Sequence, residues 1–187
     1  EERLGAHVST QGGVATAPAR GVAIGATAIQ LFTKTPNQWR DPSIDVSTAD
    51  QFRKAFSDSG LRAAVAHDSY LINLASPDPV LNQRSVKSFT AELQRCAALG
   101  IPYVVSHPGN YMDDLHAGLE RNSRGYAEAL RAVPGEVMVL METTAGTGTA
   151  LGSQFEELAR LPEALPPDVR DRVGYCAGQG ALRTRIL

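Results

Sequence analysis

Three short apolar runs in this chain each end at a side chain that can bind a metal ion. The runs, with the residues that follow them directly, are 63–66 with His67, 102–106 with His107 and 137–141 with Glu142. An apolar run of four or five residues is typical of a buried strand. Because the carboxyl ends of parallel strands meet at one edge of a sheet, we expect the three side chains to lie close together.

Strand-like and helix-like segments alternate along the whole chain. The strand-like segments are 4–9, 27–32, 63–67, 103–106, 137–141 and 172–176, and the helical patterns are 14–24, 47–57, 80–99, 113–132 and 153–161. This alternation predicts one α/β domain over residues 1–187, in which helices cover a parallel sheet. Open sheets and (β/α)₈ barrels both fit, whereas a dinucleotide-binding fold is disfavoured because the first strand–helix turn lacks GxGxxG.

Cap and proline signals predict where two of the helices begin or end. Ser47 or Thr48 can cap the second helix. Pro162, Pro166 and Pro167 predict that the fifth helix is broken just after residue 161.

The composition excludes disorder and a membrane span. Apolar residues make up 43% and charged residues 20% of the chain, which is ordinary for a globular protein. The formal net charge is −2, so DNA binding would require a local basic patch. Cys96 and Cys176 form no CxxC pair, which predicts reduced thiols. Since no signal peptide or membrane-length apolar run is present, we expect a cytoplasmic protein.

Two imidazoles and one carboxylate are a ligand set that suits zinc or manganese. Three protein ligands leave a coordination position open, where a water molecule has its pKa lowered towards ~7. Glu142 could also bridge to a second metal ion and so take part in phosphoester cleavage. One histidine at a strand end is usually structural, but three such residues at equivalent positions favour a metal site.

Other candidate residues have simpler explanations. His7 also ends a strand, and we expect it to lie in the core or behind the metal ligands. His116 is expected to be solvated, and Asp113 and Asp114 to complement a helix N-terminus.

Two aromatic segments leave a structural and a functional interpretation open. Tyr70 and Leu71 either anchor their own loop or form a wedge and stacking platform for a nucleic acid. Trp39, with Lys34 and Arg40 nearby, is either a packed aromatic residue or part of a surface that faces phosphates.

Taken together, these motifs resemble the endonuclease IV family of apurinic/apyrimidinic endonucleases, which are zinc-dependent (β/α)₈ barrels. The segments that carry the resemblance are 5–9 with 12–13, 31–34 with 38–40, 67–75, 107–109 and 142–146. The resemblance covers residues 4–176. It implies a TIM barrel that is incomplete here, with five to six βα units and no closure.

The resemblance also implies a site and an activity. His67, His107 and Glu142 would hold the first of up to three zinc ions, with Glu142 bridging towards a second. The DNA contacts would come from Tyr70, Leu71, Lys34 and Gln38. The substrate would be double-stranded DNA with an abasic site, cleaved on its 5′ side to leave a 3′ hydroxyl. No membrane and no obligate protein partner are implied.

Three departures from the family pattern bear on activity. Asn37 stands where the family usually has an intercalating arginine, and Thr143 where it usually has asparagine. After Cys176 the family has an aspartate and a histidine that bind metal, whereas residues 177–187 contain neither. A frame slip or a deletion would explain this, and we expect the chain to keep only the first-zinc part of the site.

Two other functions stay open on the sequence. Sugar isomerases and epimerases of related barrels also carry histidine and glutamate at strand ends. A non-catalytic fragment that binds one metal ion, or binds DNA weakly, is the third interpretation.

Overall fold

A computed structural model describes residues 3–178, which form a six-stranded parallel sheet. The strands are β1 (Gly5–His7), β2 (Ala28–Phe32), β3 (Ala63–His67), β4 (Tyr103–Ser106), β5 (Met138–Glu142) and β6 (Val173–Cys176). They pair in chain order from β1 to β6, and every pairing is parallel. The predicted alternation of strands and helices is therefore confirmed.

Helices connect the strands and cover one side of the sheet. They are α1 (Ala17–Ala23, after a 3₁₀ turn at Val14–Thr16), α2 (Val46–Ser59), α3 (Pro79–Leu99), α4 (Leu115–Ala132), α5 (Phe155–Ala164) and α6 (Pro167–Arg170). No helix within residues 3–178 has the length and apolar character that crossing a membrane requires.

Two predicted helix ends were wrong. The N-cap of α2 is Asp45 and not Ser47 or Thr48, because the Asp45 carboxylate accepts the Thr48 backbone N–H at 2.7 Å. Helix α5 continues through Pro162 to Ala164. Its last turn is closed by the Leu165 N–H, which donates to the Pro162 carbonyl at 3.0 Å.

Helix α4 begins as its acidic residues predicted. The Asp114 carboxylate accepts the Ala117 N–H at 2.9 Å and so caps the helix. Asp113 pairs instead with Arg121 at 2.5 Å. His116 is exposed, as expected. Cys96 and Cys176 are free thiols.

The two faces of the sheet have different surroundings. Alternate strand residues such as Ile29, Ala64 and Val139 are buried under the helices, where they meet the apolar side chains of α2 to α5. The other face is partly exposed around a cavity of about 340 Å³, lined among others by Val65 and Leu140. Within residues 3–178, β1 and β6 each pair on one side only, so the sheet is not closed.

Candidate metal centre

The three predicted ligands lie at the carboxyl ends of the central strands and converge. His67 ends β3, Glu142 ends β5, and His107 directly follows β4. Ser106 pairs with Met141, so the parallel register brings His107 and Glu142 next to each other. One ligand atom from each of the three side chains lies within 4.8 Å of the others. The predicted convergence is confirmed.

The Glu142 carboxylate lies between the two imidazoles. Its Oε2 atom is 2.9 Å from His107 Nε2 and 3.4 Å from His67 Nε2. The two rings are nearly perpendicular, at 84°, with centroids 5.1 Å apart. The His67 side chain is 9% exposed and that of His107 45%, so the cluster is closed on the β3 side and open on the β4 side.

The tautomer of His67 follows from its other ring nitrogen. Nδ1 lies 2.9 Å from the backbone carbonyl of Asp68. A carbonyl can only accept a hydrogen bond, so Nδ1 carries the proton, and Nε2 directs its lone pair towards the cluster in the neutral ring. A metal-binding histidine usually has its second nitrogen fixed in this way.

The electrostatics of the cluster favour positive charge at its centre. In the metal-free cluster, hydrogen bonds from His107 and from the protonated ring of His67 lower the pKa of Glu142 to about 2. Burial works against charge on His67, yet the bond to Glu142 and the neighbouring carboxylates give a net rise in the pKa of His67. Two imidazoles and an ionised carboxylate that share one point are a donor set that fits a divalent cation.

Behind the ligands lies a buried carboxylate that sequence reasoning missed. Asp68 is 2% exposed, and burial raises its pKa to about 7 against the opposing effects of His67 and Ser106. Its Oδ2 atom accepts the hydroxyl of Ser106 at 2.7 Å. The available signal was positional, since an acidic residue follows one predicted ligand and a serine precedes the next.

A polar cavity of about 380 Å³ adjoins the exposed side of the cluster. Its lining includes His107, Glu142 and the loop of residues 143–147. This loop is tied to the β4 loop, because Leu151 N–H donates to the Gly109 carbonyl at 2.8 Å and Asn110 bridges to Ala150. The exposed side of the cluster therefore opens into a cavity bounded by two hydrogen-bonded loops.

Tyr70 lies beside the cluster on the protein surface. Its side chain is 62% exposed, and its ring centroid is 5.2 Å from that of Phe32 and 5.8 Å from that of His67. Leu71 is half-buried. The loop is anchored by the next apolar residues, since Ile72 and Leu74 are buried. The loop therefore has buried anchors besides Tyr70, whose ring is exposed.

Lys34 and Gln38 lie in the loop after β2, where the structure corrects one expectation. The Lys34 ammonium is enclosed, 2% exposed, and lies 3.1 Å from Asp41 and 2.7 Å from the Gln38 carbonyl. It therefore holds its own loop together and is not presented to a DNA backbone. The Gln38 side chain is exposed. Trp39 is half-buried, with the Arg84 guanidinium 4.5 Å from its ring centroid.

His7 lies outside the ligand cluster. The expectation of a core position was wrong, because edge strand β1 leaves His7 exposed. Its Nδ1 atom lies 3.0 Å from Gln30 Oε1, and its ring is 4.4 Å from the ring of Phe32. Phe32 in turn contacts His67, with centroids 5.6 Å apart, so a role for His7 behind the metal ligands stays a prediction.

The model of one protein family, described as a xylose isomerase-like TIM barrel, matches residues 18–177. The chain belongs to this family. The incomplete-barrel prediction is confirmed with it, because the six parallel strands and their helices are successive units of a TIM barrel. The segment after Cys176, where the endonuclease IV resemblance implies an aspartate and a histidine, lies largely in residues 179–187, outside the described residues.

Curated relatives within this TIM-barrel family confirm the resemblance to endonuclease IV. A protein of Chloroflexus aurantiacus named "Probable endonuclease 4" is 45% identical over 176 residues, which are 93% of this chain and 61% of that protein. The chain thus spans about three fifths of the length of this relative.

Solved structures show the same fold. Endonuclease IV from Thermus thermophilus superposes with a TM-score of 0.79 at 38% identity, over 88% of this chain and 60% of that one. A D-psicose 3-epimerase superposes with a TM-score of 0.73 at 13% identity, over 98% of this chain and 66% of that one. At that identity the likeness to the epimerase is one of fold only.

Proposed function

We propose that this chain forms the cation-binding part of a metal-dependent endonuclease of DNA repair. The proposed reaction is hydrolysis of the phosphodiester on the 5′ side of an abasic site in double-stranded DNA. The observation that carries the proposal is the convergence of His67, His107 and Glu142 beside the exposed ring of Tyr70. The relative named "Probable endonuclease 4" and the 38% identical endonuclease IV structure support it.

We assign the cluster to zinc, with manganese as the alternative ion. His67 and His107 each offer a ring nitrogen, and Glu142 offers a carboxylate oxygen. A divalent cation held there supplies a Lewis acid for a phosphate oxygen and lowers the pKa of a water molecule. In a protein of full family length, Glu142 would also bind a second of up to three zinc ions. Incision belongs to that longer protein, whereas this chain provides one cation site.

DNA would approach along the surface that carries Tyr70. Tyr70 and Leu71 would push into the duplex, and Gln38 would contact it from the neighbouring loop; the exposure of Tyr70 and Gln38 supports this. An abasic nucleotide has no base to unpair, so turning it out of the helix costs little. The chain has a net charge of −2, which does not attract DNA, but the bound cation would provide local positive charge where the phosphate binds. A DNA substrate also agrees with the expected cytoplasmic location.

The proposal is tested by metal and DNA binding on the same preparation. We expect one zinc ion per chain by equilibrium dialysis, and tighter binding to a duplex with one abasic analogue than to the intact duplex. His107→Ala should abolish zinc uptake, while His116→Ala, which changes an exposed histidine on α4, should leave it intact. Tyr70→Ala should remove the preference for the abasic duplex without changing zinc uptake.

Two results would contradict the proposal. One is zinc uptake that survives His107→Ala together with Glu142→Gln. The other is turnover of ketose sugars by a chain that has no affinity for abasic DNA. This result would favour an epimerase function over a nuclease function.

A further inference from the structure

Behind the ligand cluster, three buried side chains from three different elements form a hydrogen-bonded chain. They are Asp68 after β3, Ser106 at the end of β4 and Tyr126 on α4, with exposed fractions of 2%, 0% and 0%. The Tyr126 hydroxyl donates to Ser106 Oγ at 3.0 Å, and the Ser106 hydroxyl donates to Asp68 Oδ2 at 2.7 Å. The chain ends on the carboxylate, and the Ser106 hydroxyl also lies 3.5 Å from the His107 carbonyl, a longer contact than the one to Asp68.

This chain begins where the backbone pairing of β3 with β4 stops. The last paired residues are His67 and Val105, and the Asp68 N–H donates to the Val105 carbonyl at 3.0 Å. The bond between Asp68 and Ser106 is the next link between the two strands. Asp68 directly follows one predicted ligand and Ser106 directly precedes the other, so this link fixes the separation of the two ligands.

Helix α4 holds the other side of His107 as well. Asn122 lies one turn before Tyr126 on the same face of the helix. It is fully buried, and its Nδ2 atom donates to the carbonyl of Pro108 at 2.5 Å. The residue before His107 and the residue after it are therefore both bonded to α4.

The side chain of His107 needs such support because it is itself weakly enclosed. It is 45% exposed, whereas the His67 side chain is 9% exposed and has its Nδ1 atom fixed by a backbone carbonyl. Burying polar groups costs free energy unless all are hydrogen-bonded. Replacing buried hydrogen-bonded partners by apolar groups of the same shape can be neutral or stabilising, so packing alone does not account for the polar chain.

We propose that Tyr126 and Asn122 on α4, acting through Ser106, Asp68 and Pro108, are positioning residues that set His107 at the distance from His67 that a shared cation needs. The inference rests on the proposed metal site. It adds to that site a support that is remote in sequence and touches neither the cation nor the DNA.

The test compares zinc affinity by chelator competition in the unaltered chain, Tyr126→Phe and Asn122→Ala. Tyr126→Phe removes one hydroxyl and should lower zinc affinity about 10-fold, in the range found when a partner behind a metal ligand is lost. The visible spectrum of bound Co²⁺ should change with it, because the ligand geometry changes. Asn122→Ala should weaken zinc binding in the same direction.

Phe89→Leu is the matched control. The Phe89 ring packs against Tyr126 with centroids 5.3 Å apart, so its loss disturbs the same core without removing a hydrogen bond. We expect a lower melting temperature and unchanged zinc affinity.

The outcomes separate the two proposals. If the unaltered chain takes up no zinc, the metal site fails and this inference fails with it. If the unaltered chain binds zinc through His107, but Tyr126→Phe and Asn122→Ala stay within twofold of it, only the positioning role is overturned. Equal weakening by Phe89→Leu would also overturn it.

Discussion

The middle of the sheet and its edge place the same kind of residue in opposite situations. His67 ends β3, has strands on both sides, and meets Glu142 from β5 and Asp68 behind it. His7 ends β1, is paired only with β2, and is exposed. Both histidines are the last residue of a short strand, so residue type and local pattern do not separate them. The difference is the number of neighbouring strands whose side chains can reach the same point.

The same contrast holds for charged side chains. Glu92 of α3 lies under the middle of the sheet, 1% exposed, 2.5 Å from Arg95, and accepts the Thr33 hydroxyl at 2.7 Å. The Asp50–Arg53 pair on α2 also measures 2.5 Å, but its side chains are 64% and 47% exposed. The two ion pairs have the same N–O distance, but we expect the buried pair to contribute more to the free energy of unfolding than the exposed pair.

The largest expected effect comes from breaking the buried pair. Glu92→Ala leaves the buried Arg95 guanidinium with only its longer contact to Asp41, at 3.5 Å, and loss of a partner from a buried ion pair typically costs about 3–5 kcal/mol of unfolding free energy. Asp50→Ala removes the exposed counterpart and should cost less than about 1 kcal/mol. Urea denaturation of both variants measures the difference. A similar loss of unfolding free energy in the two variants would mean that burial does not determine how much an ion pair stabilises this fold.

The next effect concerns the two strand-end histidines. His67→Ala removes a ligand atom, so zinc affinity should fall by more than the ~10–100-fold that loss of a supporting residue costs. His7→Ala should lower zinc affinity far less than His67→Ala, because its ring contacts Phe32 and reaches His67 only through that side chain. Chelator competition measures both. If His7→Ala lowered zinc affinity as much as His67→Ala, the histidine at the sheet edge would also contribute to the metal site.

The smallest difference is expected between two loop glycines. Gly12 follows β1 with φ 87° and Gly109 follows β4 with φ 95°, so alanine is strained at both positions, by about 1–3 kcal/mol. A methyl group at Gly109 would lie 2.4 Å from Asn73 Oδ1, whereas at Gly12 its nearest neighbour is 3.7 Å away. Gly109→Ala should therefore be more destabilising than Gly12→Ala, by about 1 kcal/mol for the displaced Asn73 bonds.

Thermal unfolding of the two glycine variants gives the answer. Asn73 is the reason for the difference, since its Oδ1 atom accepts the Asn110 N–H at 2.9 Å and joins the β3 loop to the β4 loop. Equal destabilisation by Gly12→Ala and Gly109→Ala would show that the Asn73–Asn110 hydrogen bond does not contribute to stability.

The sequence was sufficient for the sheet and for the ligand trio. Parallel strands deliver their ends to one edge, so His67, His107 and Glu142 could be placed together from spacing alone. The enclosure of Lys34 could not be foreseen, because besides its loop partners the ammonium lies 3.3 Å from Ser88 Oγ, 54 residues away on α3. The support from Asn122 and Tyr126 was equally invisible, since it depends on which face α4 turns towards the strand ends.

The order of the strands also determines how much of the molecule must be assembled before it can retain an ion. The three ligands come from consecutive strands and lie within residues 67–142, and β3, β4 and β5 are hydrogen-bonded neighbours. All three proposed ligands would therefore be in place once these three units are docked, whether or not β1, β2 and β6 have joined the sheet. The rate of zinc uptake during refolding would therefore report the assembly of β3, β4 and β5, separately from that of the other strands.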